Sequence, residues 1–231
     1  MRLLIINPND SEAMRHTIEA RCKNIALPDT HIDVVCAGSG VASVEGYRDG
    51  AFAQMGVAKT IMACETSPAP YDGYLIACAD DTGLYAAREI AKGPVLGIGE
   101  AAMKMASSLG YGFIIYTAQD KSVAVLEQNA LLYGQERQCK GVFAANRPVL
   151  DLEQMSDEDL NATAEAILQA ATGCRAESVV LGCAGLTLFH ETLTQALPIP
   201  VIDGVQCGVS LLEAMVRNGL KTSKVNTFQA A

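Results

Sequence analysis

A chain of 231 residues with 50% hydrophobic side chains can bury a sizeable core, as one large domain or two small ones. Its net charge of −9, with 17 Lys and Arg scattered rather than clustered, argues against nucleic acid or a membrane surface and leaves a small molecule as the expected partner. No apolar run approaches the ~20 residues of a membrane span, and the first strand pattern begins at Arg2 with no room for a signal peptide, so a cytoplasmic location is expected.

The apolar run at residues 3–6 reads as a strand buried on both faces, ending at Asn7-Pro8-Asn9. Asp10 or Ser11 is placed to cap a helix with Met14, Ile18 and Cys22 on one face, finished before Pro28. A second strand, 32–36, runs into residues 37–46, too rich in Gly and Ser for regular structure and so a loop able to act as a lid. A helix near 48–64 and a proline-bearing loop lead to the strand that ends at Cys78, with Asp80 or Asp81 as the expected cap of the helix after it. Residues 95–98 and 99–106 give another strand and helix, with Glu100 as a possible cap of its own helix.

The pattern then restarts, with strands at 113–116, 141–145, 178–181 and 201–202. The clearest helix opens on the capping box Ser156 to Asp159, puts Leu160, Ala164, Ile167, Leu168 and Ala171 on one face and stops at Gly173. The halves correspond: Cys78 and Cys183 are separated by 183 − 78 = 105 residues, Asn7 and Thr117 by 117 − 7 = 110, and Pro94 and Pro200 by 200 − 94 = 106. Eight strand–helix alternations imply an α/β fold with parallel sheet. Two closures fit, a pair of doubly wound sheets with a cleft between them or a single eight-stranded barrel, and both bind ligands at strand C-terminal ends.

Asn7, Cys78, Thr117 and Cys183 all fall at such ends. The eight cysteines contain no Cys-x-x-Cys pair and the three histidines are dispersed, so neither a disulfide framework nor a zinc site is indicated. Cys22, Cys36, Cys64, Cys139, Cys174 and Cys207 read as small hydrophobes. Cys78 and Cys183 differ, because each follows a parallel strand where a helix N-terminus offers amide donors that favour thiolate, opposed at Cys78 by Asp80 and Asp81. Two thiols facing one bound carbon acid suit racemisation, one removing a proton and the other supplying one to the opposite face.

Ile5-Ile-Asn7-Pro-Asn9, Ser43-Val-Glu45-Gly46, Ile76-Ala-Cys78-Ala-Asp-Asp81, Gly97-Ile-Gly-Glu-Ala101, Leu181-Gly-Cys183-Ala-Gly185, Pro200-Val-Ile-Asp-Gly204 and Gly219-Leu-Lys-Thr-Ser-Lys224, in this order, resemble the aspartate/glutamate/hydantoin racemase superfamily, with the hydantoin and allantoin racemases nearest. The resemblance spans essentially the whole chain. It implies two flavodoxin-like lobes, each a four-stranded parallel sheet flanked by helices, with residues 1–97 plus 206–231 carrying Cys78, residues 98–205 carrying Cys183, and the site between them. It also implies a catalytic pair of thiols with no cofactor or metal; a homo-oligomer is expected.

Amino-acid racemases of the superfamily carry Asn-Thr and Thr-His after the two cysteines, where this chain has Ala79-Asp80 and Ala184-Gly185. A carboxylate substrate would meet Asp80, whereas a neutral cyclic ureide would not be repelled. The ureide's carbonyls could accept from amides following the cysteines and around Thr117-Ala118. Asn7 is a candidate to orient the ring, and Asn9 reads as turn chemistry. Ser43 and Glu45 either close over substrate or, for Glu45, cap the next helix, and His190 reads as a packing or surface residue. The alternatives are a maleate isomerase-like or Asp/Glu racemase activity, a decarboxylase, disfavoured by the second thiol, and a non-catalytic two-lobed binding protein. Thiol redox chemistry is disfavoured by the lack of a nearby resolving cysteine in sequence.

Overall fold

Parallel neighbours cannot be joined by a tight turn, and here a helical segment intervenes between each strand and the next. The computed structural model describes residues 1–229; positions 230 and 231, the end of the expected first lobe, lie outside the described residues. Strands β1 (Arg2–Asn7), β2 (His31–Cys36), β3 (Gly73–Ile76) and β4 (Val95–Gly97) form one parallel sheet in the order β2-β1-β3-β4. Strands β5 (Phe113–Thr117), β6 (Cys139–Ala144), β7 (Ser178–Leu181) and β8 (Val201–Ile202) repeat it as β6-β5-β7-β8. Of the two closures open at the sequence level, the chain adopts the pair of sheets.

The registers repeat as well. Leu3 pairs with Gly73 in the first sheet and Phe113 with Ser178 in the second, displacements of 113 − 3 = 110 and 178 − 73 = 105. These are the intervals found between the sequence motifs, so equivalent residues occupy equivalent places at the two strand edges.

Among the described residues eight α-helices flank the sheets: α1 (Glu12–Ile25), α2 (Tyr47–Glu65), α3 (Leu84–Ile90), α4 (Ile98–Ala106), α5 (Asp120–Leu132), α6 (Asp157–Cys174), α7 (His190–Ala196) and α8 (Gly204–Arg217). Ser11 caps α1 by accepting from the Met14 amide at 3.2 Å, and Met14, Ile18 and Cys22 form its buried face. The Ser156–Asp159 box caps α6 reciprocally, at 3.2 and 3.0 Å. Two details of α6 differ from the sequence reading. Leu168 is exposed and Thr163 takes a place on the buried face; and the helix runs through Gly173 to Cys174, ending at Arg175 in the left-handed region.

Two helices bind the halves together. α4, which follows β4, packs against β7 and β8, and α8, which follows β8, packs back on β3 and α1. One buried core accordingly spans both sheets, with Leu3, Ile5 and Leu75 contiguous with Ile114, Val179 and Leu181. Among the described residues no helix is long and apolar enough to cross a membrane.

Candidate active site

β3 stops at Ile76 and β7 at Leu181, and one residue further in each case a small spacer, Ala77 or Gly182, precedes a cysteine. Cys78 and Cys183 consequently line one cavity at the facing C-terminal edges of the two sheets. That cavity holds about 30 Å³, room for about one water, and Met14, Val44 and Val149 make it largely apolar. The Thr117 hydroxyl donates to the Gly182 carbonyl at 2.8 Å, fixing the peptide that carries Cys183.

The segments following the thiols are unlike. Cys183 is the N-cap residue of a 3₁₀ segment, Ala184–Phe189, whose first amides have no partner within the turn. Cys78 instead enters a turn closed by the Asp81 amide on the Cys78 carbonyl at 3.0 Å, and α3 begins only at Leu84. Neither Asp80 nor Asp81 caps α3, contrary to expectation; its N-cap is Gly83, without a side-chain bond.

Asp81 serves another helix. In the left-handed region at φ 51°, it accepts from the Gly99 and Glu100 amides at 2.9 and 2.6 Å and from the Tyr133 hydroxyl at 2.8 Å, so it caps α4. The approach requires two glycines. A Cβ on Gly97 would lie 2.0 Å from Asp81 Oδ1, and one on Gly99 2.2 Å from the Ala79 carbonyl oxygen. Glu100 is therefore not the cap of its helix; it is buried in an ion pair with Arg88 and with Lys104, the latter at 2.6 Å.

The thiol of Cys78 is pushed well above its ordinary value, chiefly by burial and then by the Asp80 carboxylate. The Asp80 amide and the Thr82 hydroxyl oppose this by bonding the sulfur, so of the opposing effects left open by the sequence the amides are the weaker. Burial also raises Asp80, to about 7, so its carboxyl is part-protonated near neutrality and repels anions less than a surface Asp would. Asp80 and the two thiols are the ionisable groups on the cavity wall, and no Lys, Arg or His among the described residues joins them. His190 sits elsewhere, between Arg21 at 2.9 Å and the Val201 carbonyl at 3.1 Å, a packing role.

Of the other predicted positions, Ala79, Asp80, Thr117, Ala118 and Ala184 line the cavity. Gly185 lies behind the wall, where a Cβ would come 3.7 Å from Cys183 Sγ. Asn7 is fully buried and does not line the cavity; its Nδ2 donates to Asn9 Oδ1 at 2.7 Å, and Asn9 does line it. Asn9 also accepts from the Ser11 amide at 2.9 Å, the turn chemistry read from sequence. Ser43 donates to Glu45 Oε1 at 3.1 Å, and the same oxygen accepts from the Val149 amide at 3.2 Å. Glu45 therefore does not cap α2; it ties the 37–46 loop to the second half, with Val44 turned onto the cavity wall. The loop is held at its other end by Asp10, which accepts from the Ser39 and Gly40 amides at 2.9 and 2.7 Å.

Sequence reasoning missed Met14, Val44, Ser122 and Val149 on the wall. Ser122 lies in the first turn of α5, directly beyond Thr117-Ala118, so the strand-end rule applied to that turn would have found it.

Residues 3–212 match the model of the family described as Asp/Glu/Hydantoin racemase. The chain is 37% identical over 228 residues to a hydantoin racemase of Rhizobium meliloti, spanning 99% of this chain and 94% of that one. Among solved structures it resembles allantoin racemase from Klebsiella pneumoniae, with TM-score 0.94 and 39% identity over 100% of this chain and 94% of that one. It also resembles allantoin racemase from Pseudomonas fluorescens, with TM-score 0.91 and 32% identity over 100% and 97% of the two chains. The chain, with its duplicated parallel sheets and a cysteine at each facing strand edge, belongs to the Asp/Glu/hydantoin racemase family.

Proposed function

We propose that this protein is an isomerase that racemises 5-monosubstituted hydantoins, allantoin among them, using Cys78 and Cys183 as the two acid–base groups. The observation that carries the reading is the cavity wall itself: two thiols from equivalent strand ends, one carboxyl, and no cation among the described residues to receive a substrate carboxylate. A neutral ring with an acidic C–H fits such a wall.

In the proposed reaction one cysteine, as thiolate, takes the C5 proton, and the electron pair of the broken C–H bond moves onto the adjacent ring carbonyl as an enolate. The other cysteine, as thiol, returns a proton to the opposite face, leaving the pair of sulfurs with exchanged protonation states. To amides at the start of the Ala184–Phe189 segment we assign the enolate oxygen, supported by their lack of a partner within the turn. Asn7 supports the wall through Asn9, while Ser43 and Glu45 hold the covering loop. We assign residues 1–97 plus those from 206 onward to the lobe of Cys78 and residues 98–205 to that of Cys183, supported by the return of α8 onto β3. A cytoplasmic homo-oligomer without cofactor belongs to the same proposal, supported for self-association by the exposed Phe52, Met55 and Met62 along α2.

Polarimetry on single-enantiomer hydantoins and L-allantoin tests the substrate class. Loss of rotation is expected in the presence of a metal chelator and without added cofactor, and no comparable turnover of glutamate or aspartate. Racemisation of glutamate at the same rate would overturn the substrate assignment.

The raised Cys78 thiol predicts a pH dependence. Thiolate forms more readily as pH rises, so proton abstraction by Cys78 strengthens through the alkaline range. Asp80, ionised there, is the second cause of the shift after burial. Asp80→Asn removes that charge, lowers the thiol's value and moves the alkaline limb of kcat/KM to lower pH, leaving the burial contribution in place. A limb that stays fixed or moves upward would contradict this electrostatic reading.

A further inference from the structure

Next to the thiol cavity lies a second one of about 250 Å³, formed by the first two turns of α2 and the turn after Cys78, with Tyr47, Gly50, Gln54 and Val125 on its walls. Among the described residues, Asp80 is the one that lines both cavities. The first cavity, at about 30 Å³, is smaller than the ring itself, so a substrate that reaches the thiols must extend beyond it, and the second, several times larger, opens beside it at Asp80.

The backbone of Asp80 is fixed at both ends. Its amide bonds Cys78 Sγ, and its carbonyl accepts from Asn129 Nδ2 at 3.0 Å. Its carboxyl, by contrast, is shifted by burial alone, with no charged or hydrogen-bonding neighbour among the described residues contributing. A part-buried carboxyl on a backbone so held, at the neck between two cavities, is an acceptor available to a donor from the ligand.

Resting on the racemase reading, we infer that the 250 Å³ cavity receives the C5 substituent and that Asp80 selects substituents carrying N–H donors, a ureido group or a short amine-bearing chain, over purely hydrocarbon ones of similar length. A donor satisfies the carboxyl. A branched alkyl group leaves it desolvated and unpaired.

The test measures kcat/KM of the native protein, Asp80→Ala and Gly50→Met on two hydantoins, one with a 5-ureido and one with a 5-isobutyl substituent, and on 5-methylhydantoin. Asp80→Ala also alters the Cys78 thiol, but that acts on every substrate alike, and the ratio between substrates removes it. The ureido-to-isobutyl ratio is expected to fall roughly 10–100-fold in Asp80→Ala, the worth of a hydrogen bond to a charged group. Gly50 has no atom within 4 Å of a built Cβ, so Met fits there without a clash at the branch point and fills the cavity. It should lower the ratio of ureido- to methylhydantoin turnover by roughly tenfold or more.

An unchanged ureido-to-isobutyl ratio in Asp80→Ala overturns the selection by Asp80, and an unchanged ureido-to-methyl ratio in Gly50→Met overturns the placement of the substituent. Both can occur while the native protein racemises all three substrates, which separates this failure from failure of the racemase reading. No racemisation of any of them by the native protein would remove both.

Discussion

Replacing Cys78 or Cys183 by Ala is expected to lower racemisation of a hydantoin by roughly 10²–10⁴-fold, the range of one positioned acid–base group. Each thiol faces the shared cavity from its own sheet edge, so neither can cover the face served by the other. Among the described residues the wall offers no histidine or lysine to substitute, and Asp80 adjoins Cys78 rather than Cys183 in sequence. The remaining cysteines should not matter comparably: Cys22 and Cys207 are buried, with thiols pushed up to about 12 chiefly by burial, and neither lines the cavity. Near-native racemisation by either Ala variant, measured by polarimetry with its melting temperature unchanged, would contradict the assignment.

The second large effect is expected at Gly99, far from the thiols in sequence. Its amide donates to Asp81 Oδ1 at 2.9 Å, and a Cβ there would stand 2.2 Å from the Ala79 carbonyl oxygen and 2.9 Å from Asp81 Oδ2. Both neighbours belong to the turn that holds Cys78, and neither is the far end of a flexible chain. Gly99→Ala must therefore push that turn off α4 or break the cap. Overpacking and a lost cap together cost about 2–4 kcal/mol, which for a chain of this size lowers the melting temperature by roughly 5–15 °C. Activity should fall further than the fraction folded, because Ala79 is joined directly to Cys78. Gly173→Ala is the control: with nothing within 4 Å of its Cβ and a helical site, it should be neutral or stabilising by about 0.5–1 kcal/mol. A Gly99→Ala variant that melts with the native protein would refute the role given to Asp81.

The strands were readable because a two-sided parallel sheet demands short continuous apolar runs, and 178–181 and 201–202 coincide with β7 and β8. Local chemistry was equally legible: Ser11 and Ser156 cap the helices they adjoin, as an oxygen near an unpaired amide will. The convergence of Cys78 and Cys183 followed from repetition, since equal displacements along the chain become equal places in two similar sheets.

What stayed hidden depends on contacts distant in sequence. Asp81 looks like the cap of the next helix until its left-handed backbone turns the carboxylate toward Gly99 and Glu100. Glu45 reaches Val149 across the two halves, and no local pattern marks that partner. Whether Asn7 or Asn9 meets the cavity is decided by the exit of β1, where Asn7 turns inward and donates to Asn9. Burial, too, set the Cys78 thiol: amides and carboxylates nearby in sequence act in opposite directions, and the enclosing side chains add to the carboxylate and outweigh the amides.

Hydrogen exchange in the single variants tests most directly whether the two thiols serve opposite faces of one carbon. In deuterium oxide, a variant that has lost one thiol can still remove a proton from the enantiomer presenting its C–H to the survivor and return deuterium to the same face. Proton NMR on each enantiomer, with spontaneous exchange subtracted, should show Cys78→Ala labelling one hand without inversion and Cys183→Ala labelling the other. Labelling of the same enantiomer by both variants would place the thiols on one face and contradict the two-sided mechanism.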